Sequence, residues 1–146
     1  MQPGNVLEIN DLRVQFRTLD GVVSGVDGVT LAVRNGETLG LVGESGCGKS
    51  VTAHSIMRLL PKRIAKITSG EIWFRRRDGK EHDLAKVDPE GGLIRSIRGN
   101  EIAMIFQEPM TSLSPMHTIG EQIVEAITLH QNISKEEAED RAAEAL

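Results

Sequence analysis

Gly43-Glu44-Ser45-Gly46-Cys47-Gly48-Lys49-Ser50 is the stretch of this 146-residue chain that decides its fold. It fits G-x-x-x-x-G-K-[ST] at every fixed position, the pattern of a loop that cradles phosphate. The flanks suit such a loop. Thr38-Leu39-Gly40-Leu41-Val42 is short and apolar, as a buried strand is, and helical spacing begins at Ser50. Strand, glycine-rich loop and helix in that order curl successive backbone N–H groups around an anion. Side chains at Gly46 or Gly48 would obstruct that approach. The helix start adds its partial positive charge. In a loop of this kind Lys49 reaches the β- and γ-phosphates of a nucleoside triphosphate, and the Ser50 hydroxyl holds Mg²⁺.

Upstream of the loop the pattern is that of strands. Leu7, Ile9, Leu12, Val14 and Phe16 mark one over residues 6–16, with an irregularity expected at Asn10-Asp11. Asp20-Gly21 is a turn, Val22-Val23 opens a second strand region, and Val29, Leu31 and Val33 alternate up to a turn at Asn35-Gly36. Downstream, Ala53, Ile56, Met57 and Leu60 recur on one helical face that stops before Pro61. Residues 70–74 read as a strand and Asp78-Gly79 as a hairpin turn. Leu93, Ile94 and Ile97 mark a short helical piece ending at Gly99, and residues 102–106 are continuously apolar, as a strand buried on both faces should be. Thr118 with Glu121, and Ser134 with Glu137, are capping boxes that open two helices.

Composition bounds the class. The length suits one compact unit with one core. Seventeen Lys and Arg against 21 Asp and Glu leave a net charge of −4 and no dominant basic face, which argues against a nucleic-acid binder. The longest apolar runs fall short of the ~20 residues of a membrane span, and the first residues lack the basic and apolar regions of a signal peptide. A single cysteine excludes an internal disulfide and suits a reducing compartment. Cys47 itself sits in the loop beside Lys49, where a thiol is expected to be reactive. His54 and His117 are not spaced as metal ligands with His82 or His130. Arg75-Arg76-Arg77 reads as a solvated hairpin.

A second motif narrows the class. Residues 102–123, IAMIFQEPMTSLSPMHTIGEQI, run from an apolar strand to Gln107, then Glu108-Pro109 and a Ser/Thr/Pro loop into a helix. This segment resembles the Q-loop of ATP-binding cassette (ABC) transporter ATPases, the peptide-importer branch in particular: dipeptide, oligopeptide and nickel uptake. GETLGLVGESGCGKS and RGNEIAMIFQEPMTSL agree with that branch, and the likeness runs from Leu7 to the end of the chain. Ser114 departs from it, standing where the family usually has asparagine.

The resemblance implies an α/β P-loop fold, the N-terminal part of an ABC ATPase. An antiparallel β region would cover residues 6–36 and 70–84, an incomplete RecA-like core 37–61 and 101–107, and the start of a helical subdomain 118–146. It implies ATP and Mg²⁺ as cofactors, with nucleotide held by Gly43, Glu44, Ser45, Gly46, Cys47, Gly48, Lys49, Ser50 and Val51. Phe16 would stack on adenine, although alternation along its strand also places an apolar residue there. Lys49 and Gln107 would be the catalytic residues, and Ser50 and Gln107 the metal ligands. The stretch from Glu108 to Pro115 would meet the transmembrane permease subunits, with a second ATPase subunit completing a dimer on the cytoplasmic face of the membrane.

Other P-loop classes fit less well. Glu108 is displaced from the position of a Walker B acid, because Gln107 directly follows the apolar run. No Asn-Lys-x-Asp motif supports a GTPase, and the Gln107 segment also disfavours a small-molecule kinase. A non-hydrolytic nucleotide-binding module stays open. The chain holds no LSGGQ-like signature, no apolar strand ending in Asp-Glu and no switch histidine. It therefore reads as an N-terminal piece, expected to bind phosphate, to hydrolyse little, and to expose unpaired edges and apolar faces.

Overall fold

The computed structural model describes residues 1–106 and 113–146, which form two compact units, Met1–Arg95 and Ser96–Leu146. This differs from the single unit expected from length. The first unit is built on a four-stranded antiparallel sheet of β1 (Asn5–Thr18), β2 (Gly21–Arg34), β3 (Ala65–Arg75) and β4 (Glu81–Asp83), in the order β2-β1-β3-β4. The two strand regions expected between β1 and the loop are one continuous β2, paired with β1 along its length. The turn Leu19-Asp20 closes the pair, one residue before the expected Asp20-Gly21, because Gly21 already pairs with Thr18. The Thr18 hydroxyl donates to the Gly21 carbonyl at 2.9 Å across that turn.

The irregularity expected at Asn10-Asp11 is present, and its partner is visible. Asp11 has φ 45°, and the β1–β3 register shifts between Asn10 and Arg13. Opposite, Gly70 has φ 92°, and a Cβ there would lie 2.5 Å from the Asp11 carbonyl oxygen. Only glycine allows the two strands to close at that point. The shift explains the three-residue step from Ile9 to Leu12. Both face the core, with Val14, Ile72 and Leu84, and all five are fully buried.

After the loop, α1 (Lys49–Ile56) is shorter than its apolar spacing predicts; Arg58 turns left-handed at φ 54° and ends the helical run before Leu60. The β3–β4 hairpin turns at Asp78-Gly79, where the Gly79 amide donates to the Arg76 carbonyl at 2.9 Å. Short α2 (Gly92–Ile97) buries Ile94 and Ile97 completely.

Two expected strands do not form. Residues 37–42 and 103–106 are irregular, and Ile102 makes only an isolated bridge to Arg98. A doubly buried strand is held by ladders on both edges and by cover on both faces. Among the described residues neither run has a ladder, so their side chains lie open: Val42 is 94% and Ile105 97% exposed.

The second unit carries α3 (Ile119–His130) and α4 (Lys135–Glu144), packed together with the small Ala138 and Ala142 of α4 buried. Thr118 and Glu121 form a complete capping box. At α4 the box is half made: the Ser134 hydroxyl accepts from the Glu137 amide at 3.2 Å, but Glu137 turns its carboxylate to Arg141 at 2.7 Å. Among the described residues no helix is long and apolar enough to cross a membrane.

Candidate functional site

The glycine-rich loop leads directly into α1, whose N-cap is Gly48 in the left-handed conformation at φ 95°. No side chain caps this helix, and no acid lies in its first turn. Its leading N–H groups therefore have no side-chain acceptor, which is the arrangement that favours an anion. The glycines serve different ends. Gly46 has φ 82° with nothing within 4 Å of where a Cβ would stand, so backbone conformation alone selects it. At Gly48 a Cβ would also lie 2.5 Å from the backbone oxygen of Gly25 in β2. At Gly43 a Cβ would meet Cys47 Sγ at 2.7 Å.

Lys49 is half-buried, and its ammonium is drawn into the loop. It donates to the Gly43 carbonyl at 2.6 Å and the Glu44 carbonyl at 2.5 Å, with Cys47 Sγ at 3.4 Å. These contacts hold the one loop cation against the backbone of the loop itself. Glu44, Ser45, Cys47 and Ser50 are exposed. Behind the loop, buried Thr52 and Ser55 turn their hydroxyls back to the helix, onto the Gly48 carbonyl at 3.0 Å and the Val51 carbonyl at 2.7 Å. That use of both hydroxyls satisfies them without drawing on the loop.

Phe16 stands at the end of β1, half-buried. Its ring edge lies 2.5 Å from the point where a Gly25 Cβ would stand, and Val51 Cγ1 lies 3.6 Å from the same point. Gly25 thus gathers Phe16, Val51 and Gly48 around one backbone position. An aromatic ring and an uncapped helix start meet there, and Lys49 follows Gly48 in the chain, a set whose chemistry fits a purine triphosphate. The Ser50 hydroxyl follows Lys49 on the exposed side, where a phosphate-bound Mg²⁺ would need an oxygen ligand.

Gln107, together with residues 108–112, lies outside the described residues, so its expected catalytic and metal roles have no geometry here. Of the stretch expected to meet permease subunits, residues 113–115 are described. Ser114 is gripped by Gln122 of α3: its amide donates to Gln122 Oε1 at 2.8 Å, and Gln122 Nε2 donates to its carbonyl at 3.0 Å. Gln122 Nε2 also donates to the His117 carbonyl at 3.0 Å. Neither Gln122 nor Gly25 stands out in the sequence. A glutamine in a first helical turn and a glycine in a strand carry no motif; only the folded chain shows what each one touches.

Known proteins resemble the chain as follows. A family model described as ABC transporter matches residues 26–146. The probable peptide ABC transporter ATP-binding protein y4tR of Sinorhizobium fredii is 49% identical over 141 residues, 97% of this chain and 40% of that protein. The dipeptide transport ATP-binding protein of Bacillus subtilis is 47% identical over 133 residues, 91% of this chain and 38% of that protein. A solved dimeric ATP-binding cassette in a post-hydrolysis state, bound to ADP and Pi, superposes with a TM-score of 0.75. That match covers 94% of this chain and 54% of the other at 24% identity, and so speaks for the fold alone. The chain spans between about a fifth and two fifths of the length of the curated relatives it matches.

Proposed function

The chain belongs to the ABC transporter family, and from that premise we propose that it is the N-terminal portion of the ATP-binding subunit of a peptide importer. The observation that carries this is the cradle itself: an uncapped helix start at Gly48, Lys49 held inside the loop, and Phe16 beside it across Gly25. Its relatives' names supply the solute class, since peptide and dipeptide uptake recur among them.

Gly43 through Ser50, with Val51, would bind the phosphates of ATP through backbone N–H groups and the Lys49 ammonium. The ring of Phe16 would support adenine. Ser50 and Gln107 would hold Mg²⁺, which when bound neutralises charge on the β- and γ-oxygens. Lys49 moves from the Gly43 and Glu44 carbonyls to the phosphate, exchanging neutral acceptors for charged ones, which are roughly twice as strong. Gln107 would orient the attacking water, and the stretch from Glu108 to Pro115 would engage the permease subunits at the cytoplasmic face of the membrane. A second ATPase subunit would complete the assembly.

By itself the chain binds nucleotide and turns it over slowly or not at all. Phosphoryl transfer depends on positioning and charge stabilisation, and the chain contains no signature motif, no Asp-Glu strand and no switch histidine. Titration of MgATP into the chain, run beside a phosphate-release assay, tests both halves. Saturable binding that weakens at least tenfold in Lys49→Ala, or about 1.4 kcal/mol, with release near background, is the expected result. No binding would overturn the first half. Sustained release at the rate of a complete transporter ATPase would overturn the second.

A further inference from the structure

A second cluster of cations lies on the sheet face opposite Phe16. Strand pairing builds it. Gln15 and Arg17 alternate with Phe16 along β1 and so share the other face, where Lys66 of β3 stands opposite Gln15. The Arg17 amide donates to the Ile64 carbonyl at 2.7 Å, tying the end of β1 to residues 62–66. The result is a cleft of about 370 Å³ whose polar lining comprises Gln15, Arg17, Lys62, Arg63, Lys66 and Thr68.

The charge balance in this cleft differs from that of the chain. Acids outnumber cations, 21 to 17, yet only Lys62 has a carboxylate partner here, Glu90 at 2.6 Å. Among the described residues Arg17, Arg63 and Lys66 form no ion pair. Arg75, Lys80, Lys86 and Arg141, by contrast, each hold a carboxylate on other parts of the surface. Three unneutralised cations around one concavity make a local positive field that a small polyanion relieves. Two arginine forks and a lysine point charge are the donor set that phosphate oxygens select, and the volume suits a small ligand.

We propose that this cleft is a second anion site, separate from the glycine-rich loop, for a phosphate group, whether on a free oligophosphate or on the headgroup of an anionic lipid. The test uses the whole chain with Lys49→Ala, which disables the loop. Pyrophosphate titrated calorimetrically into this variant is expected to bind one equivalent. Adding Arg63→Ala and Lys66→Ala weakens it at least tenfold, as does Arg17→Gln on the neighbouring strand. All three side chains are exposed, and an unchanged far-ultraviolet spectrum and urea midpoint would exclude unfolding. Co-sedimentation with phosphatidylglycerol vesicles, against phosphatidylcholine vesicles, separates the two sources. Binding of pyrophosphate alone assigns the site to a free anion. Binding to phosphatidylglycerol that is lost with Arg63 and Lys66 assigns it to a headgroup. If neither probe binds, or if binding survives the loss of Arg63 and Lys66, the proposal fails.

Discussion

Gly48 carries two constraints at once, and their sizes differ. Its left-handed φ costs a side chain roughly 1–2 kcal/mol. The contact of 2.5 Å from its would-be Cβ to the Gly25 oxygen is with backbone, which cannot swing aside as a side chain can. Gly48→Ala must therefore shift α1 away from β2 or reshape the loop. The expected outcome is loss of ATP affinity by more than tenfold in a fluorescent-nucleotide titration, with the sheet's circular-dichroism signal retained. Affinity equal to that of the parent chain would show that the contact is not limiting. Here the sequence was a good guide to residue type, since the motif requires glycine at that position. It was no guide to Gly25, because nothing in a strand's alternation announces which of its residues the loop will rest on.

At the scale of elements, the helices of the second unit hang on their caps. The Thr118 amide and hydroxyl both donate to Glu121 at 2.9 Å, and the Glu121 amide donates back to the hydroxyl at 3.2 Å. The Thr118 backbone N–H, then its hydroxyl, holds the Glu121 carboxyl below the ordinary 4.5. A depressed folded value means stability that is present above the ordinary range and is lost as pH falls through the folded value. The helical signal of α3 should thus decline in acid, below about pH 4.5, and Glu121→Gln should flatten that decline. Thr118→Ala should lower the unfolding free energy by about 1 kcal/mol in urea. A midpoint and acid profile unmoved by either change would refute the role of the box. Elements whose signals are local were legible in the sequence: both helix starts, the Asp78-Gly79 turn, the first hairpin turn to within one residue, and the irregularity at Asn10-Asp11. Residues 38–42 and 102–106 were misread because a continuous apolar run states a need for neighbours and cannot supply them. The Ser134 box was half misread because Arg141, a turn away, competes for Glu137.

For the whole molecule, the consequence of those unpaired runs is surface chemistry. Val42, Ile105 and Leu19 are almost wholly exposed, and among the described residues the lengths around the first two are irregular backbone outside any strand ladder. Exposed apolar groups and unpaired backbone of this kind drive association. Sedimentation equilibrium is expected to show mass rising with concentration, and Val42→Glu with Ile105→Glu should bring it toward that of one chain. A single-chain mass at every concentration in the unaltered protein would count against this. The sheet leads to a different consequence, in time rather than space. β1 and β2 are joined by the two-residue turn Leu19-Asp20, so their pairing can zip outward from it with little loop entropy to overcome. Pairing of β1 with β3 must wait for the glycine-rich loop and α1 to be spanned. The hairpin is thus expected to nucleate folding, with the phosphate cradle assembled later on a strand already in place. Substitutions in the hairpin should then slow folding, and substitutions in the cradle should mainly speed unfolding, in stopped-flow kinetics.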